Sequence, residues 1–164
     1  MDKINWCCLQ RDGINLVESN ENLAKKYLES AESDFNEMKN SNSLKWKDIT
    51  AYYSCYNSFY ALLQKIGIKC EIHDCTIELL RFLIHEFGGK MLPMDFEFLK
   101  ELKKTRVDAQ YYLKEPASID GKRIINFMLT CKDIYNHISF DEIQKIRKKI
   151  GDLIKELKNP QSTK

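Results

Sequence analysis

The chain predicts an all-α fold, an antiparallel, up-and-down bundle of five to six helices. Three observations carry that expectation. Residues 49–66 hold two apolar stripes at helical spacing, helix start and stop residues recur along the chain, and no useful length alternates apolar and polar residues with period two.

The central helix is the clearest element. Ile49, Tyr53, Tyr56, Tyr60 and Leu63 form one stripe, and Tyr52, Cys55, Phe59, Leu62 and Ile66 form another. Each steps by three or four residues, so each is one face of a helix. A helix that is apolar on two faces has to be covered on two sides, which places it in the middle of a bundle. Gly67 stops it, because glycine takes the left-handed conformation at a helix end without a Cβ penalty.

The other elements follow in order. Residues 1–17 contain Gly13 and no clear period, and read as an arm packing Trp6, Leu9, Ile14 and Leu16 onto the body. A first helix begins at Ser19 or Asn20, either of which can cap it, and breaks at Asn40-Ser41-Asn42-Ser43. The aromatic helix spans about 47–66. Asp74 is placed to cap a third helix, which Gly88-Gly89 ends. Asp95 is placed to cap a fourth that runs to about Leu113, and Pro116 follows. Ser118 is placed to cap a fifth. Ser139-Phe140-Asp141-Glu142 is a capping box opening a sixth, which Pro160 terminates. The bundle therefore covers 18–158, and 159–164 form a flexible tail. In the last helix Ile143, Ile146, Ile150, Leu153 and Leu157 make a narrow coiled-coil-type seam, to be covered either by the bundle or by a partner.

A length of 164 residues suits one domain, and 43% hydrophobic against 30% charged residues suits a globular one. No apolar run approaches the roughly 18 residues of a membrane span, and Met1-Asp2-Lys3-Ile4 does not open a signal peptide, so a cytoplasmic protein is expected. In a reducing cytoplasm the six cysteines are expected to be buried thiols. Cys70, His73 and Cys75 form a C-x2-H-x-C cluster, but zinc sites show two spaced ligand pairs and no second pair exists. Neither a metal nor a cofactor is expected. The net charge of +2 does not by itself imply nucleic acid. Lys100, Lys103, Lys104 and Arg106 do cluster in one helix, and Lys145, Arg147, Lys148 and Lys149 in another, each as a solvated face or a nucleic-acid patch.

The aromatic helix, the Gly67-Ile68 turn and His73 resemble the second helix of HEPN domains and its surroundings. Thr105-Arg106-Val107-Asp108-Ala109-Gln110-Tyr111-Tyr112 is similar to the Arg-x-x-Ala-Asp-Tyr stretch of minimal, UPF0332-type HEPN proteins. Arg106, Ala109 and Tyr111 match, while Gln110 replaces the acid. The resemblance covers roughly residues 10–138. It implies a symmetric homodimer with a nucleotide- or RNA-linked role, often as partner of a minimal nucleotidyltransferase in a toxin–antitoxin pair.

Many HEPN toxins are metal-independent ribonucleases whose signature is an arginine followed, four to six residues on, by a histidine. Histidine can move the ribose and leaving-group protons, and arginine can stabilise the phosphorane. Here the expected position holds Tyr111, Tyr112 and Leu113. The candidate catalytic residues are therefore Arg106, Asp108 and Tyr111. The candidate nucleotide- or RNA-binding residues are Lys103, Lys104, Arg106, His73 and Tyr53. Each has a structural alternative: His73 bonding a backbone carbonyl or Tyr60, Arg106 paired with Asp108 or Glu101, the tyrosines as core. Three functions stay open: a binding module, a ribonuclease, or an interaction protein using the last helix.

Overall fold

The computed structural model describes residues 1–115 and 118–159. It is a helical bundle of α1 (Lys3–Leu9), α2 (Glu21–Asn40), α3 (Leu44–Ile66), α4 (His73–Leu83), α5 (Pro93–Tyr111), α6 (Gly121–His137) and α7 (Phe140–Lys158). A 3-10 turn, Ile84–Phe87, extends α4. Pro116, Pro160 and the tail beyond Asn159 lie outside the described residues.

α3 is the axis, with α2, α5 and α6 packed around it. Tyr52, Cys55, Phe59, Leu62, Leu63 and Ile66 are buried, as the double stripe requires. The remaining face is made of small residues. Thr50, Ser54 and Ser58 return their hydroxyls to the carbonyls of Trp46, Thr50 and Ser54 at 2.6, 2.7 and 2.7 Å. Their polarity is thus satisfied within the helix, and neighbours approach closely. The three-residue connection 41–43 folds α3 back along α2, and Asn57 reaches Asp34 at 3.0 Å across that pair.

Several local expectations need correction. In the N-terminal arm, 3–9 form α1, and Ile14 and Leu16 pack onto the body while Trp6 and Leu9 stay largely exposed. A two-residue antiparallel pair, β1 (Asn15–Leu16) with β2 (Ile68–Lys69), pairs Asn15 with Lys69 and Leu16 with Ile68 across more than fifty residues of chain. Two residues are too few to show a period. α3 begins three residues earlier than expected, capped by Ser43, whose hydroxyl accepts from Trp46 N. Asp74 is not the cap of α4 but sits in its first turn, bound to Lys103. In α5, Leu92 takes the cap position and Pro93 opens the helix, while the Asp95 carboxylate accepts from Leu92 N at 2.7 Å. Asp120, not Ser118, caps α6 by accepting from Lys122 N and Arg123 N. The Ser139–Glu142 capping box forms as expected.

The larger correction concerns the cysteines. Cys7 of α1 and Cys75 of α4 form a disulfide with a Cα–Cα separation of 5.5 Å, and both are fully buried. The other four cysteines are free and buried. The thiol expectation failed for this pair because 68 residues separate the partners, so only packing of α1 on α4 reveals them.

α7 closes the bundle. Ile146 and Ile150 are buried, and Ile143, Leu153 and Leu157 pack against the core, so the seam is covered within the chain. Arg147 donates from one nitrogen to the carbonyls of Val17, Gly67 and Ile66 at 2.8, 2.9 and 3.0 Å. It thereby ties α7 to the end of α3. Gly67 has φ +85°, and a Cβ there would lie 2.2 Å from the Arg147 guanidinium and 2.6 Å from Val17 O. Gly67→Ala is expected to cost about 1–3 kcal/mol in urea denaturation, combining left-handed strain with displacement of Arg147. A loss below about 0.5 kcal/mol would show that this junction yields freely.

Candidate functional site

The turn after Gly67 leads through β2 to the start of α4, and so sets His73 against the tyrosine face of α3. Here Tyr60, Tyr56 and His73 form one stack. The Tyr56 ring lies 5.7 Å from Tyr60 at 12° and 4.4 Å from His73 at 7°. The Tyr52 hydroxyl and His73 Nδ1 are 2.7 Å apart. Burial, then the charges of Arg106 and Lys103, lower the His73 pKa below its usual value near 6.5, so the ring is neutral at pH 7. Tyr56 holds Thr76 at 3.2 Å, and Tyr60 accepts from Cys70 N at 3.4 Å. The alternative of a His73–Tyr60 hydrogen bond is replaced by the Tyr52 contact.

Arg106 enters from α5. It donates to the Tyr53 hydroxyl at 2.7 Å, and its guanidinium carbon lies 5.1 and 5.5 Å from the Tyr52 and Tyr53 ring centres. Its exposure is only 9%, and among the described residues no carboxylate pairs with it and Nε has no hydrogen-bond partner. Neither Asp108 nor Glu101 serves as the partner considered from sequence. A buried cation held by phenol and ring faces, without a counter-ion, is costly unless an anion visits it.

The remaining candidates are placed differently. Lys103 is bound to Asp74, and Lys104 lies 3.8 Å from Asp108, which also meets Lys114 at 3.3 Å. Tyr111 is 65% exposed at the end of α5. The structure thus brings His73, Tyr53 and Arg106 together, with Lys103 at their edge through Asp74, and leaves Lys104, Asp108 and Tyr111 outside that cluster. The basic clusters are largely neutralised: Lys100 faces Glu97 at 3.9 Å, and Lys145 and Lys149 both hold Glu86 at 3.0 Å. Tyr52 binds His73, a role absent from its reading as a core or base-stacking ring, since a buried tyrosine's hydroxyl partner leaves no sequence signal.

Beside the cluster opens a cleft of about 670 Å³, lined by Tyr27, Tyr53, Tyr56, Asn57, Tyr60 and His73 among others. This size suits a small organic ligand. Among the described residues no group of three His, Cys, Asp or Glu side chains is arranged to hold a metal ion.

Residues 24–159 match the family described as HEPN domain. The chain belongs to the HEPN domain family. No curated protein matches it. The HEPN match covers α3, α4 and α5, which carry the tyrosine face, His73 and Arg106. No helix among the described residues is long and apolar enough to cross a membrane.

Proposed function

We propose that this HEPN protein is a nucleotide- or RNA-binding module in which Arg106 holds a phosphate. The single observation that carries the reading is Arg106 itself, nine-tenths buried, unpaired with any carboxylate among the described residues and bound to Tyr53 of an aromatic cleft. Tyr53 aims it, His73 offers its other ring nitrogen nearby, and Lys103 sits at the edge paired with Asp74. Family membership supports the wider setting: a symmetric homodimer, paired with a minimal nucleotidyltransferase in a toxin–antitoxin system.

Arg106→Ala is expected to weaken binding of RNA or nucleotide by about 10- to 100-fold, the worth of a charge-assisted bond. Arg106→Lys should recover only part of it, because an ammonium lacks the guanidinium fork. Stability should fall by no more than about 1–2 kcal/mol, since no carboxylate is left unpaired. Titration and urea denaturation of the same variants check both. Marked destabilisation with unchanged residual affinity would end the claim.

One observation favours a second reading, a metal-independent ribonuclease. His73 is neutral and held by Tyr52 beside Arg106, the protonation state a general base needs. Asp108 and Tyr111 are the further candidates on α5. RNA cleavage in the presence of a chelator, lost in His73→Ala, would support that reading, and intact RNA would exclude it.

A further inference from the structure

The cleft holds more chemistry than a phosphate site needs. Asn57 lies one helical turn beyond Tyr53 on α3, a rise of about 5.4–6 Å, comparable to the reach from a 5′-phosphate to its base. Its amide nitrogen is spent on the protein, donating to Asp34 at 3.0 Å and Ser30 at 3.4 Å. A carboxylate accepts only, so this fixes which end of the amide is nitrogen. The carbonyl end accepts no hydrogen bond among the described residues, and Asn57 lines the cleft. Tyr27 and Tyr53, both half-buried, supply ring surface on the same walls. The cleft therefore joins aromatic surface to an acceptor one turn from Tyr53, the tyrosine that Arg106 binds.

Charge along the cleft limits how much ligand it tracks. Lys69 is paired with Glu71 at 2.7 Å, and Glu18 and Glu71 are among the lining residues. A strand of RNA needs a row of available cations to follow its backbone. Lys69 is the lining cation and is paired, whereas Arg106, bound to the lining residue Tyr53 from behind, has no carboxylate among the described residues.

We infer that the cleft binds a single nucleotide unit, its phosphate on Arg106 and its base against the tyrosines, and that Asn57 selects bases carrying an exocyclic amino group. This rests on the phosphate-binding reading of Arg106. Adenine, cytosine and guanine carry such a donor, and uracil does not.

Altering the ligand tests this without risk to folding. Equilibrium dialysis compares AMP with purine riboside 5′-monophosphate, which lacks only the amino group, and with inorganic phosphate and a single-stranded RNA of about 12 nucleotides. AMP should bind roughly three- to tenfold more tightly than the analogue, the worth of one hydrogen bond, and more tightly than phosphate. For the RNA oligonucleotide the logarithmic salt slope between about 50 and 200 mM should be about −0.7, as for one phosphate contact on a single strand. Equal binding of AMP and the analogue, both lost in Arg106→Ala, would overturn base selection and leave the phosphate reading intact. RNA bound with a slope of about −3 or steeper would overturn the single-nucleotide claim alone. Absence of binding by every probe would overturn both readings.

Discussion

Phe59→Ala is expected to cost about 3–5 kcal/mol in equilibrium urea denaturation, with Tyr56→Ala close behind. Phe59 has no exposed surface and sits at the middle of α3, where α2, α5 and α6 surround the helix. Truncation there removes apolar burial and leaves a cavity that three flanking helices cannot all close. Tyr56 loses less apolar contact, but its removal also breaks the stack with Tyr60 and His73 and the hydrogen bond to Thr76. Leu129→Ala provides the comparison, because Leu129 is 58% exposed and should cost under about 1 kcal/mol. A loss below about 1 kcal/mol at both Phe59 and Tyr56 would remove α3 from the centre of the bundle.

Removing the Cys7–Cys75 bond is expected to lower stability by about 2–4 kcal/mol. The bridge spans 68 residues, so cutting it releases a long loop in the unfolded chain, and it also frees α1 from α4. The effect should reach the site, because Cys75 lies two residues after His73 in the first turn of α4. A Cys7→Ala/Cys75→Ala variant measures the loss by denaturation. Thiol titration of the unfolded protein checks the pairing directly: four of the six cysteines should react before reduction and all six after it. Six reactive thiols before reduction would show that the bond does not form.

How much was legible in the chain depends on how local the determining physics is. The burial of α3, its stop at Gly67 and the Ser139–Glu142 box follow from residues within a turn or two of each other. Helical periodicity and capping act over that range, so the all-α class and the central helix could be read directly. Boundaries drifted where two capping residues competed, as with Ser118 and Asp120, because each can cap a helix start and the two starts lie only two residues apart. The candidate site was legible in its types: His73, Tyr53 and Arg106 stood out as a histidine after the turn, an aromatic face and a helical arginine.

What joins those residues was decided by packing alone. Arg106 meets Tyr53 across 53 residues, Tyr52 meets His73 across 21, and Arg147 meets Val17 across 130. None of these pairs carries a spacing signal. In each, burial excludes water, and a side chain that has lost its solvent must take whichever donor, acceptor or ring the neighbouring helix presents. The sequence alone determined which helix is central and where its polar and aromatic residues lie. Only the tertiary structure decided that Arg106 is buried without a carboxylate beside a cleft, since that depends on where α5 crosses α3 and not on anything within α5 itself.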